Sequence, residues 1–231
     1  MKIPTPVYIV SLALAILPSA ARAEISAQTW LETYYLHPQP ALVSDSIKEL
    51  SRTGYFDRPQ NVAVAIGFFA ALFERHPDHV DQWVQPLGSL PLAHRRLLAA
   101  ALWQAGHPSA ESTLRALSKG SPVRSEVEKL ASIHGRTVND TAVRSPASMR
   151  LRWGAFLATG DERHVLSILD AFGLDEPALS SAARMALAQN AAAHPRVMEI
   201  CRAQLDRQPD EIRGELRAAL QLVGGTDQPR S

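Results

Sequence analysis

Residues 151–173 read LRWGAFLATGDERHVLSILDAFG, and two helices with a stop between them are written into that order. Leu151, Trp153, Phe156 and Leu157 supply the apolar bulk of the first. Thr159-Gly160-Asp161 ends it, because Gly160 can take the positive φ of a helix C-terminus and Asp161 can cap the helix that follows. In that second helix Val165, Ile168, Leu169 and Phe172 fall at i, i+3, i+4 and i+7, one stripe of a 3.6-residue period, and Gly173 closes it. A single hairpin cannot bury both of its faces, so the rest of the chain must supply neighbours.

The same layout of helix, break and helix recurs in FFAALFERHPDHVDQWVQPLG, AALWQAGHPSAESTLRALSKG and ALAQNAAAHPRVMEICRAQL. In these three the break is His-Pro: His76-Pro77, His107-Pro108 and His194-Pro195. Proline suits the first helical position, where no amide donor is needed, and it pushes the residue before it out of the α region. Residues 61–75 form the most apolar segment. Val62, Ile66, Phe69 and Phe73 make one stripe there, and Phe68 and Leu72 widen it, as expected of a helix packed on several sides. Further helices are expected over 110–117 and 122–134, the latter carrying His134 at the edge of its apolar stripe, and Gly54 and Gly106 are read as helix ends. No segment alternates as a strand does. The expected fold class is all-α, an irregular α-solenoid of about twelve antiparallel helices packed as hairpins. The helical-repeat domain is expected over 24–223, with a possible seam at 136–147, where no apolar period is visible, and a polar, disordered tail at 224–231.

Tyr34-Tyr35 with His37-Pro38-Gln39-Pro40, the run from Trp153-Gly154-Ala155-Phe156 to Ala158-Thr159-Gly160-Asp161, and His194-Pro195-Arg196-Val197 carry a resemblance. Over residues 28–222 the chain resembles tetratricopeptide-like or HEAT-like helical repeats and exported bacterial helical proteins of unknown function. The resemblance implies a repeat scaffold and brings no catalytic residues with it.

The first residues have a different logic. Lys2 precedes an apolar run at 7–17, Pro18 breaks the run, and Ala21-Arg22-Ala23 offers an A-x-A cleavage site. That is the pattern of a secretory signal peptide over residues 1–23, cleaved after Ala23, which predicts a periplasmic or secreted protein with no integral membrane segment afterwards. Its loss lowers Lys+Arg from 24 to 22 against 23 acidic residues, a formal charge of −1. Such a balance gives no electrostatic reason to bind nucleic acid. The lone Cys201 has no intramolecular partner, and its place on an apolar helical stripe predicts a buried, inert thiol.

No H-E-x-x-H, P-loop, G-x-S-x-G or G-x-G-x-x-G is present, so neither catalytic residues nor a cofactor is assigned. His76 and His79 have a ligand-like spacing, but Pro77 interrupts it, and no metal site is assigned. Asp161-Glu162-Arg163-His164 packs acids and bases into one turn, yet acids belong in the first turn of any helix. Asn190, on an apolar stripe, is expected to bond backbone. Tyr34, Tyr35, Tyr55 and Phe56 sit at helix ends or in connectors, where amphipathic aromatics often build recognition surfaces, and they are the candidate partner-binding residues. The expected activity is therefore binding of a protein or peptide. The alternatives are an exported enzyme or small-ligand binder, using the Tyr34–Phe56 region or the Asp161–His164 turn, and an accessory subunit of an envelope complex.

Overall fold

The computed structural model describes residues 25–84, 88–110, 112–113 and 137–224. Ten α-helices lie among them: α1 (Ala27–Thr33), α2 (Val43–Arg52), α3 (Pro59–Arg75), α4 (Val80–Val84), α5 (Leu92–Gln104), α6 (Pro146–Thr159), α7 (Glu162–Leu169), α8 (Pro177–Ala193), α9 (Pro195–Gln204) and α10 (Asp210–Gly224). The described residues contain no strand, so the fold is all-α. The signal segment, the helices expected over 110–117 and 122–134 (with His134), and the tail beyond Gly224 lie outside the described residues, apart from Ala110, Ser112 and Thr113.

The punctuation follows from local chemistry. Ser145 caps α6 by accepting the Ser148 N–H at 3.1 Å, and Pro146 starts the helix. Gly160 ends it at φ +66°, its N–H bonded to Phe156 O at 2.7 Å. Asp161 then caps α7 by accepting the Arg163 N–H at 3.0 Å. Proline likewise opens α3, α8 and α9. His194, before Pro195, holds the extended conformation that proline imposes on its predecessor. His76 leaves the helical region in the same way, and Pro77 leads through a 3-10 turn (Pro77–His79) into α4.

Among the described residues, the crossing of α3 and α6 is the most extensive contact between helices. From Gly67 to Phe73 every α3 side chain is buried, and from Arg152 to Ala158 every residue of α6 is. Glycine makes the crossing possible. A Cβ on Gly67 would lie 1.9 Å from Leu151 O, and one on Gly154 would lie 1.9 Å from Val64 O. The two approaches are reciprocal and run in opposite senses along the chain, so the helices cross antiparallel. In each, a glycine Hα points at the facing carbonyl, the Cα–H···O arrangement that recurs where helices touch. Phe68, Phe69, Phe73 and Phe156 pack around this contact.

Around the pair, α5 lies on α3, α7 folds back on α6, and α8 packs on both α9 and α10. Residues 137–145 are held from both sides. Asn139 Nδ2 donates to Glu74 Oε2 of α3 at 2.7 Å, and the Arg152 guanidinium of α6 donates to Asn139 O and Thr141 O, each at 2.8 Å. The buried apolar residues before and after this segment belong to one continuous core.

Candidate functional site

The four aromatics assigned from sequence to a partner surface are placed mainly inside the protein. Tyr34, Tyr55 and Phe56 are only 2%, 6% and 3% exposed. Tyr34 packs edge-on against Trp30 and Phe68, with ring centroids 5.1 and 5.5 Å away. Burial pushes the Tyr55 phenol up to about 12, the mark of a ring closed off from water. Tyr35 is half-buried. Its backbone N–H donates to Leu157 O at 3.1 Å, its ring packs on Phe156, and its hydroxyl lies 3.4 Å from His194 Nδ1. Tyr35 joins the end of α1 to α6, Tyr34 and Phe56 pack on α3, and only Tyr35 stays partly accessible.

The charged turn at the start of α7 divides in two. Asp161 caps the helix and pairs with Arg163 at 2.8 Å. His164 instead turns inward, with Nδ1 3.3 Å from Arg152 Nη1. Burial, and then the Arg152 charge, lowers its pKa to about 4. At neutral pH His164 is therefore uncharged and accepts from the guanidinium, which makes it a weak base.

One arrangement has no trace in the local sequence. His94, buried on α5, has Nδ1 2.8 Å from Ser51 Oγ and Nε2 2.9 Å from Asp57 Oδ1. An ionised carboxylate can only accept, so Asp57 takes the Nε2–H, and in the neutral imidazole Nδ1 then accepts from the Ser51 hydroxyl. The three side chains thus have the connectivity of a serine–histidine–aspartate relay. Ser51, however, stands in the last turn of α2, where the carbonyl end of the helix dipole opposes a developing alkoxide. The His94 ring also packs edge-on against Phe56, at 5.4 Å. The relay acts as a latch that fastens α5 to the turn between α2 and α3.

His76 and His79 stack with Trp83, and among the described residues no group of three or more potential ligands forms around them. Cys201 is buried, its thiol pushed up to about 11 by desolvation, so it is protonated and unreactive at neutral pH. Asn190 Nδ2 donates to Ala186 O at 2.8 Å, within its own helix.

An open groove of about 1050 Å3 lies between α1 and α2. Ala27, Trp30, Pro40 and Ala41 form part of its wall, and Ile25 and Leu42 stand at it 58% and 45% exposed. Asp45, Glu49 and Arg52 of α2 also line it. Their charges are matched on the same helix, Lys48 to Asp45 at 3.1 Å and Arg52 to Glu49 at 2.6 Å. Ser51 and His94 do not line it.

Comparison with protein-family models, with curated proteins and with solved structures finds no match. Among the described residues no helix is long and apolar enough to cross a membrane.

Proposed function

We propose that the protein is an exported helical-repeat scaffold that holds an apolar, uncharged peptide segment of another protein in the groove between α1 and α2. The observation that carries this reading is the groove itself: open, about 1050 Å3, and bordered by the exposed apolar side chains of Ile25 and Leu42. Exposed apolar groups gathered at a concavity are a common feature of binding surfaces. Because the α2 charges pair with each other, they add no strong field of either sign, which favours apolar over charged segments. The repeat part of the proposal is supported by hairpins α6–α7 and α8–α9, which contact one another as successive units would. Export is supported by the pattern of residues 1–23.

The test is a peptide array probed with the chain from Glu24 onward, followed by fluorescence titration of the strongest hits. Apolar peptides should bind, and Leu42→Asp should weaken them at least tenfold while leaving the helical spectrum unchanged. Hits that are uniformly charged, or that ignore Leu42→Asp, would reject the groove. Amino-terminal sequencing of the protein recovered from the cell envelope should begin at Glu24.

A further inference from the structure

A second, smaller cavity of about 290 Å3 lies between residues 137–145, α6 and the end of α7. Arg152 lines it from α6 and is 4% exposed. Its hydrogen bonds all go to uncharged acceptors: Thr141 O, Asn139 O and the neutral His164 Nδ1. A guanidinium has five N–H groups, so two remain. No described carboxylate lies within ion-pair distance of it, and Asp140 and Asp170 act on its charge only through space. Burial lowers the pKa of the guanidinium more than the two carboxylates raise it, and a ligand that brings an anion into contact with it offsets part of that cost.

The opposite sign stands in the same cavity. Asp170, in the 3-10 turn after α7, lines it and is exposed, with no hydrogen bond or ion pair from a described residue. Asp140 lines it too, with its carboxylate engaged by the Thr137 N–H and hydroxyl at 3.0 and 3.2 Å. Arg144 adds a second, exposed guanidinium. A simple anion would gain Arg152 but meet the field of Asp170. A simple cation would meet Arg152. Only a molecule carrying both charges satisfies both groups.

We infer that this cavity is a site for a small zwitterion of the α-amino-acid class, its carboxylate held by Arg152 and Arg144 and its ammonium by Asp170. Ala142, Val143 and Leu174 supply apolar wall for a short side chain. The volume falls at the small end of ligand cavities, which limits the ligand to a free amino acid of modest size. The site is separate from the groove between α1 and α2, and neither depends on the other.

Calorimetric titration of the chain from Glu24 onward with L-alanine, L-serine, acetate and ethylammonium tests it. Alanine or serine should bind at least tenfold more tightly than acetate or ethylammonium. Asp170→Asn alters an exposed side chain, so the fold should survive, and it should reduce alanine to the level of acetate. Arg144→Gln should weaken alanine and acetate together and leave ethylammonium unchanged. Absence of binding by both amino acids, acetate binding as tightly as alanine, or alanine binding unchanged by Asp170→Asn would each overturn the inference.

Discussion

Gly154→Ala should destabilise the protein, although alanine is the better helix former. The new Cβ would lie 1.9 Å from Val64 O and 2.8 Å from Phe68 N. Both obstacles are backbone atoms, so no side chain can swing aside. Reaching ordinary contact requires α3 and α6 to part by about 1.5 Å, through a core that interdigitates at near-crystalline density. Overpacking of this kind costs about 1–3 kcal/mol, and an unyielding backbone places it at the upper end. Losing the Cα–H···O contact adds roughly 0.5–1 kcal/mol. The helix propensity gained from glycine to alanine returns about 1 kcal/mol. The net loss is about 2–3 kcal/mol, which for a chain of this size lowers Tm by roughly 4–12 °C. Gly214→Ala provides the internal control, because a Cβ there meets nothing within 4 Å; it should stabilise by about 1 kcal/mol. Gly67→Ala should behave like Gly154→Ala. The double variant should cost less than the sum, since one separation of the helices relieves both clashes. Thermal and urea unfolding measure all four. If Gly154→Ala stabilised as Gly214→Ala does, the close crossing would be wrong.

Three further outcomes follow from the described contacts. His164 has its pKa lowered to about 4, chiefly by burial. The unfolded chain therefore binds its proton first, and stability present above about pH 6.5 should fall as the pH drops toward 4, by about 3 kcal/mol in all. His164→Gln keeps an acceptor for Arg152 without a titrating group, so the stability of the wild-type protein relative to this variant should fall by about 3 kcal/mol between pH 7 and pH 4; a constant offset would refute the assignment. Gly160→Val places a β-branched residue at φ +66°, with its Cβ 3.1 Å from the Tyr35 ring, and should cost on the order of 1 kcal/mol or more. Unchanged Tm would show the turn to be misplaced. Cys201 should resist a thiol reagent at pH 8 in the native protein and react fully in denaturant; rapid native reaction would contradict its burial.

The hairpin at 151–173 could be read from the chain because its signals are local. A positive-φ glycine beside a capping aspartate needs no tertiary information, and the same holds for the prolines that open α3, α8 and α9. Gly54 and Gly106 also take positive φ where helix ends were expected. The central crossing could not be read, because what matters at Gly67 and Gly154 is the approach of another helix. Their only trace was a glycine inside each of two strongly apolar helices, where it lowers helix propensity without local reason. The Ser51–His94–Asp57 latch joins residues 37 and 43 apart, a separation no motif spans. Tyr34, Tyr55 and Phe56 were placed by their nearness to helix ends. Sequence position does not reveal that Tyr34 folds onto Phe68 and Phe56 onto Phe69 of α3 and His94 of α5, which encloses the rings. His164 was hidden for the same reason: the turn that carries it is exposed at Arg163 and closed one residue later.

The most direct test of the functional account is a methyl spectrum of the protein from Glu24 onward, recorded while the tightest array peptide is titrated in. Saturable shifts are expected at Ile25 and Leu42, with Met185 and Leu222, exposed on α8 and α10, unmoved. Shifts confined to Met185 and Leu222, or no saturable shift at Ile25 and Leu42, would contradict it.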